Sequence, residues 1–300
     1  MEVHQLRYFV AAAEVSNISR AAQNLHVSQP ALSRQIGLLE EELGVKLFSR
    51  IRQRVQLTEA GRFFHAKARQ ILCDMETTMQ QTREQFGGVR KTLRLGYISP
   101  FLDDLVAPSV HEFRQRHANT AVSLFELAPA AQLERLYHHE LDAAILGNLD
   151  ARGRAHFQVT RLASYAMALV LPTRHASAGK KSLKLAAFAD EAWVSLANAA
   201  FPERREYLQG ICRRAGFEPR ILAEVDSLPM LLATVATTGA VAVLPAHAQK
   251  IPHAGCVFVP MSAPRLRSEL FFVSSPDALS PELIGLRALL VERAEEMRES

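Results

Sequence analysis

Over residues 3–15 the apolar positions Leu6, Phe9, Val10 and Ala13 fall at i, i+3, i+4 and i+7, which is one face of a helix. A second, short helix is expected to turn Ala21, Ala22 and Leu25 inward with Ser19 as its cap. A third carries Leu32, Ile36, Leu39 and Leu43, with Ser28 as cap and Pro30 in the first turn, where its missing N–H costs nothing. Gly44 suits the left-handed position that ends a helix. Only about three residues, His26 and Val27 among them, separate the second and third helices. Helices so close in sequence must cross sharply, which is the helix-turn-helix arrangement. Val45, Leu47 and Phe48 then resume an extended apolar pattern, and Val55 and Leu57 return to it before Thr58 can cap a new helix. This predicts a two-stranded wing.

From Thr58 to Phe86 there is no proline and Gly61 is the single glycine, so one helix of roughly 40 Å is allowed at 1.5 Å per residue. Leu72, Met75, Met79, Thr82 and Phe86 alternate steps of three and four, as a narrow helix–helix seam requires. The seam fits either the remainder of the same chain or the same helix of a second copy, and pairing between copies is the preferred reading. Gly87 and Gly88, followed by Arg90 and Lys91, mark a hinge.

Beyond the hinge, strand-like and helical patterns alternate. Leu93 to Ile98 reads as a strand, followed by a helix from about Asp103, a strand from Val122 to Leu127, a helix holding Leu133 and Leu136, and a strand from Ala143 to Leu146. A second series has Ala166 to Leu171, Trp193 to Leu196, a helix around Tyr207, Ile221 to Val225, a helix from Leu228 to Thr237 and Ala240 to Leu244; Leu270 to Val273 and a terminal helix close the chain. Such alternation predicts an α/β fold with a parallel sheet and helices on both faces.

Composition changes the picture in few places. A chain of 300 residues, 48% hydrophobic and 22% charged, has material for two or more cores. No stretch approaches the roughly 18 uncharged apolar residues of a membrane span, and Glu2, His4 and Arg7 stand where a signal peptide would be apolar. A cytoplasmic protein with no membrane partner is expected. The three cysteines, Cys73, Cys212 and Cys256, lack the spacing of a zinc site or disulfide framework and read as buried thiols. The net charge of +4 says little, but Lys46, Arg50, Arg52 and Arg54 form a local run with no acid among them. On an extended hairpin the alternate spacing of the three arginines points them the same way.

Opposite its apolar stripe the third helix presents Gln29, Ser33, Arg34 and Gln35, side chains able to reach base edges or phosphates in a major groove. Any solvated helix shows polar residues there, so the cationic wing beside it is what favours DNA, through phosphate contacts that fix register without reading sequence.

The run Leu6-Arg7-Tyr8-Phe9, Ser19-Arg20-Ala21-Ala22, Leu25, Val27 to Ser33, Ile36, Leu39-Glu40, Leu43-Gly44, Leu47-Phe48, Arg50 and Leu57 to Gly61 resembles, in order over some sixty residues, the LysR-type DNA-binding domain. The resemblance implies a transcriptional regulator in which Ser28, Gln29, Pro30, Ser33 and Arg34 face double-stranded DNA, with Arg50, Arg52 and Arg54 on the backbone. It implies an α/β multidomain chain: a winged helix-turn-helix over residues 1–58, a linker and dimerisation helix with hinge over 59–90, and a periplasmic-binding-protein-like effector domain over 91–300. The effector domain would consist of subdomain I (91–160 and 265–300) and subdomain II (161–264), the chain crossing near Thr160 and Pro264. It also implies a homodimer or tetramer, contact with RNA polymerase where the regulator activates, and a small-molecule effector in the cleft, an organic acid being one candidate.

In open α/β sheets ligands lie beyond the carboxyl ends of strands, where helix N-termini present free N–H groups. The positions that meet this are Ser99, Pro100 and Phe101 after the first strand, Ala128 and Pro129 after the second, and Asn198 to Phe201 before the helix near Tyr207. In several family members that sense aromatic acids the second turn carries a hydroxyl residue; here Pro129, which donates no hydrogen bond, stands near that point, so that clamp does not carry over.

A catalytic reading would rest on Asp142, Asp226 and eleven histidines, but nothing arranges them: there is no nucleophile elbow, glycine-rich phosphate loop or HExxH, and adjacent His138 and His139 diverge on a helix. No enzyme activity, cofactor or metal is expected. A transport binding protein would fit the C-terminal pattern but not the DNA-binding front or the missing signal peptide.

Overall fold

The computed structural model describes residues 1–51, 54–87, 91–147, 149, 151–276 and 280–299, with the backbone alone at 50, 51, 54, 80, 81, 84, 85, 151, 152, 298 and 299. The expected hinge residues Gly88 and Arg90, and Arg52 of the wing, lie outside the described residues. The chain divides into two compact units, Met1–Val89 and Arg90–Ser300.

In the first unit, α1 (Val3–Val15) buries Leu6, Phe9 and Ala12. The second helix, α2 (Ile18–Asn24), starts two residues earlier than a Ser19 cap would allow: Asn17 accepts the Arg20 amide at 3.0 Å and Ser19 falls inside the first turn. Either side chain can accept such a bond, and the geometry selects the asparagine. In α3 (Gln29–Leu43) Ser28 caps, Pro30 sits in the first turn and Gly44 ends the helix at φ 68°. Small residues bring the three helices close, Ala12, Ala21 and Ala22 packing with Leu32 and Ile36. Phe9 fills the centre of a second cluster, 5.3 Å from both Phe48 and Phe64 between ring centroids.

The wing consists of β1 (Phe48–Ile51) and β2 (Arg54–Leu57), paired antiparallel with Arg50 opposite Val55 and Ile51 opposite Arg54. β1 ends at Ile51 and β2 begins at Arg54, so Arg50 and Arg54 of the basic run lie on different strands of the wing. Lys46, the fourth member of that run, is paired with Glu40 at 2.6 Å. Glu40 is nearly buried and also accepts the Leu47 and Phe48 amides at 2.9 and 3.2 Å, tying α3 to the start of the wing. Burial favours its neutral form, but Lys46 and the two amides outweigh burial and hold the carboxyl below the usual carboxylate range. A depressed folded-state pKa makes the stabilisation complete above the unfolded value, about 4.3, and lost as pH falls through the lower folded value. Replacing Glu40 by alanine is expected to cost about 1–3 kcal/mol, the desolvation penalty of stranded amides. Faster hydrogen exchange at Leu47 and Phe48, with a lower melting temperature of this unit, is the measurement; unchanged exchange at both would contradict the assignment.

Thr58 caps α4 (Glu59–Phe86), a 28-residue helix of about 42 Å at 1.5 Å per residue. Ala68 is buried and Leu72 packs into the Phe9 cluster, so the first residue of the expected seam is engaged within its own unit.

The second unit opens with β3 (Lys91–Tyr97), a tight turn at Ser99–Phe101 and a wide helical turn at Leu102–Val106 that runs into α5 (Ala107–Arg116). There follow β4 (Thr120–Glu126), α6 (Pro129–Tyr137), β5 (Ala143–Gly147), α7 (Ala151–His156) and the long β6 (Gln158–Pro172). Next come β7 (Leu183–Lys184), β8 (Ala192–Leu196), α8 (Arg204–Arg214), β9 (Arg220–Val225) and α9 (Leu228–Thr238). The chain closes with β10 (Ala242–Pro245), β11 (Cys256–Ala263), β12 (Arg267–Ser274) and α10 (Pro281–Glu299).

The main sheet runs β4-β3-β5-β12-β6-β11-β7, with β10 also on β6. It is mixed, not parallel as expected. Helical crossovers make β3 parallel to β4 and β5, and β8 parallel to β9, whereas β12 runs antiparallel to β5 and β6, and β10 and β11 antiparallel to β6. Strand β6 is the shared member: residues 158–166 pair with β12 and residues 167–172 with β10 and β11. Alternate residues face opposite layers, Ile145 and Phe272 packing with Phe113 and Leu286, while Ala144, Leu146 and Phe271 pack with Leu136. Beyond Ala166 the same alternation sends Leu169 and Leu171 toward Trp193 and Ile211, and Val170 toward Leu232 and Leu244.

Among the described residues no helix is long and apolar enough to cross a membrane, and no group of three or more histidine, cysteine or acidic residues is placed to hold a metal. Cys212 and Cys256 are buried and Cys73 is half-buried; burial pushes the Cys212 thiol up to about 12.

Candidate functional site

Two surfaces of different chemistry stand out, one in each unit. On α3, Ser28, Gln29, Pro30 and Arg34 are exposed and Ser33 is half-buried. Gln29 donates to the Ser33 hydroxyl at 2.9 Å, one turn apart, while the Ser28 hydroxyl oxygen accepts the Ala31 amide at 3.4 Å. Arg34 has no acidic partner among the described residues, a cation presented to solvent. Gln35 differs: its carbonyl oxygen accepts from the buried Gln5 of α1 at 3.1 Å, which makes it a tie between helices. Arg20, on the exposed surface of α2 and also without an acidic partner among the described residues, adds a cation that hydrophobic periodicity does not single out. The backbones of Arg50 and Arg54 place them in the wing; their side chains, and the whole of Arg52, lie outside the described residues.

In the second unit a cavity of about 60 Å³ opens between the two halves. Ile98, Pro100 and Phe101, Pro129 at the start of α6, Gly147 and Ser268 line one side. Leu196, Phe201, Pro202, Arg204, Leu228, Pro245 and Ala248 line the other. Of the residues singled out by sequence, the fold brings Pro100, Phe101, Pro129 and Phe201 to this wall. Ser99, Ala128 and Asn198 are not among its lining residues. The Ser99 hydroxyl donates to the Glu126 carboxylate. Asn198 donates to Glu206 at 2.9 and 2.8 Å and accepts the Arg205 amide at 3.0 Å, so it caps α8.

That cap alters the expected chemistry. The Arg204 amide reaches the Phe201 carbonyl at 3.3 Å and the Arg205 amide is held by Asn198, so these first-turn donors are spent inside the protein. What remains at the wall is the Arg204 side chain. No carboxylate pairs with it among the described residues; its guanidinium lies 5.3 Å from the Tyr207 ring, and burial pulls its pKa down. Arg204 retains some accessible surface as a residue and lines the cavity. Neighbouring Arg205 instead pairs with Glu224 at 3.2 Å.

The two halves touch around this cavity. Phe101 stacks on His247 with ring centroids 4.6 Å apart and planes at 8°, and the Ala130 amide donates to the Ala200 carbonyl at 3.0 Å. His247 is buried and lies 3.7 Å from Asp104, which also binds Lys250. Burial, with Lys250 adding to it against Asp104, lowers the His247 pKa and favours the neutral ring.

Comparisons with known proteins agree along the chain. The family model described as LysR substrate binding domain matches residues 86–295, and the one described as bacterial regulatory helix-turn-helix protein, lysR family, matches residues 3–62. The chain is similar to the HTH-type transcriptional regulator BenM of Acinetobacter baylyi, 30% identical over 289 residues that cover 96% of this chain and 90% of that protein. It is 28% identical to the HTH-type transcriptional regulator AlsR of Bacillus subtilis over 281 residues, 94% of this chain and 92% of that one. The crystal structure of CbnR, a LysR family transcriptional regulator, superposes with a TM-score of 0.73 at 24% identity, covering 98% of this chain and 99% of that chain. Full-length CbnR complexed with its target DNA gives 0.70 at 25% identity, with 98% and 100% covered.

Proposed function

The chain belongs to the LysR family of DNA-binding transcriptional regulators, which are not enzymes, and we propose that it reads DNA with the first turns of α3 and grips the phosphate backbone with the wing. A DNA-binding helix-turn-helix and an effector-binding domain make it a regulator whose output responds to a small molecule. The exposed face of Ser28, Gln29, Pro30, Ser33 and Arg34 carries the DNA reading, because it offers hydrogen-bonding groups and an unpaired cation at a helix start, the part that enters a major groove. Residues 1–58 form the DNA-binding part, 59–90 the linker and 91–300 the effector domain, with subdomains 91–160 plus 265–300 and 161–264.

The effector site is the cavity lined by Pro100, Phe101, Pro129 and Phe201. A ligand touching both walls binds the closed arrangement better, and only that difference can shift an equilibrium between states. The exposed apolar stripe of α4 pairs two copies, dimers associate into a tetramer, and the regulator acts in the cytoplasm, contacting RNA polymerase where it activates.

The test uses a duplex selected by the full-length protein from a random pool. Arg34→Ala is expected to weaken that duplex by about tenfold, the value of one good base or phosphate contact. Arg52→Ala with Arg54→Ala is expected to weaken all duplexes alike and flatten the slope of log affinity against log salt by about 0.9 per lost phosphate contact. Unchanged affinity and slope in the double variant would remove the wing from the interface.

A further inference from the structure

Taking the cavity between the two halves of the second unit as the effector site, we propose that its ligand is a small amphipathic anion whose acidic group is held by Arg204 and whose apolar body lies against Phe101, Phe201 and Leu228.

The wall is apolar apart from a few groups, and the cation among them, Arg204, has no counter-charge among the described residues. Arg204 carries five donors and no acceptor, and among the described residues neither the carboxylate two residues on nor the one on β9 answers it: Glu206 is held by Asn198 and Glu224 by Arg205. Glu203 immediately precedes it at a left-handed φ of 61° and makes no cap on α8. A charge held away from water without a partner is costly to the folded chain. Such a cost persists where a ligand supplies the missing charge.

A second group points to the same place. Arg204 also borders a smaller cavity of about 10 Å³, lined by Ser195, Leu208 and Tyr207 among others. That is space on the scale of one water or one ligand oxygen. Among the described residues the buried Tyr207 hydroxyl has no hydrogen-bond partner. Its pKa is raised by burial, so it is a neutral O–H donor near pH 7. A guanidinium and a phenol left without acceptors around two adjoining cavities ask for an anionic oxygen acceptor. A neutral acceptor would satisfy a donor but leave the charge. The helix N-terminus contributes little, because its first amides are already bonded. The position also explains how an anion can be held although Pro129 supplies no donor on the opposite wall. A cavity of about 60 Å³ excludes a peptide, and a small organic acid fills it only where the two walls part to admit it.

The experiment compares the unliganded full-length protein with its Arg204→Met and Arg204→Lys variants, and follows thermal stability with and without millimolar phenylacetate, hexanoate and their neutral amides. Because methionine removes an unpaired charge and keeps the length, Arg204→Met is expected to melt higher than the parent without ligand. At least one acid is expected to raise the melting temperature of the parent while its amide does not. Titration calorimetry should show that acid weakened by about tenfold or more in Arg204→Met, the loss of a charge-assisted contact, with partial recovery in Arg204→Lys. A lower melting temperature for unliganded Arg204→Met would make the residue structural and overturn the proposal. So would equal responses to acid and amide, or no response to either acid. A Leu228→Arg variant separates the two readings. Amide binding that Leu228→Arg abolishes and Arg204→Met leaves alone keeps the effector site and rejects the anion; acid binding that survives both variants rejects the site itself.

Discussion

Replacing Met79 by aspartate is expected to split the protein into monomers at micromolar concentration and to weaken a two-half-site duplex by a factor on the order of 10²–10⁴, the advantage that joining two binding modules confers. The cause lies on α4. Phe63, Ile71, Met79 and Phe86 are 70, 45, 47 and 78% exposed, and Ile71, Met75, Met79 and Phe86 follow one another in steps of four, four and seven along one stripe. A helix of 28 residues with that much apolar surface in water has a face for a partner. The proposed partner is the same helix of a second copy, because a stripe recurring at four and seven residues can lie along a helix–helix seam. Because Met79 is half-exposed in the chain itself, aspartate there costs the subunit little; in a dry seam it would be an unpaired buried charge costing several kcal/mol. Light scattering reads the mass, circular dichroism confirms the retained helix, and the affinity for a single half-site should hardly change. A dimer of undiminished stability in Met79→Asp would place the contact elsewhere.

Much of this fold is legible in local pattern because local physics decides it. The start of α3 follows from Ser28 and Pro30, its end from Gly44, and the long helix from Thr58 and the absence of proline. Where two residues able to cap stand two positions apart, as Asn17 and Ser19 do, local sequence leaves the choice open, and in the fold Asn17 takes it. The seam residue Leu72 reads as intersubunit by spacing, yet it packs against the core cluster of its own unit that holds Phe9 and Ala68. The strands most poorly read are those whose partners are distant. Strand β6 begins eight residues before the apolar run at Ala166 because β12, a hundred residues later, pairs its first half. Strand β11 interrupts its hydrophobic pattern with Pro260, so local pattern does not mark it as a strand.

The candidate sites divide in the same way. Loops beyond strand ends are predictable as places, and Pro100, Phe101, Pro129 and Phe201 meet at one. Which side chain in a loop is free to bind depends on neighbours that no window of sequence contains. Ser99 is taken by Glu126 and Asn198 by Glu206 and the Arg205 amide, so the two most ligand-like residues are engaged by the protein. Arg204 and Arg205 are indistinguishable in the string Glu203-Arg204-Arg205-Glu206. About 100° around a helix separates them, enough to give one Glu224 and the other the cavity.

Gly61→Ala is expected to destabilise the DNA-binding unit, against the intrinsic preference of a helix. In a helix interior alanine is favoured over glycine by roughly 1 kcal/mol. A Cβ at Gly61, however, would fall inside van der Waals contact of the Leu47 carbonyl oxygen and 2.9 Å from its carbon. That oxygen accepts the Thr58 amide at 2.9 Å, and Thr58 in turn donates its hydroxyl to the Lys46 carbonyl at 2.7 Å and accepts the Gly61 amide at 2.9 Å. Leu47 also donates its own amide to Glu40. A backbone carbonyl pinned on both sides cannot slide away as a flexible side chain would. Relief must come from displacing the start of α4, or the wing, by breaking one or two of these bonds. Overpacking of this kind costs about 1–3 kcal/mol, and each lost bond about 1 more, so the clash outweighs the helix preference severalfold. Gly37→Ala supplies the control: it also lies inside a helix, but nothing stands within 4 Å of its added Cβ. Gly37→Ala should therefore raise the melting temperature of the first unit by the helix preference alone, while Gly61→Ala lowers it and weakens binding to every duplex through a displaced wing. If both substitutions stabilise, the contact between Gly61 and Leu47 does not set the position of the wing.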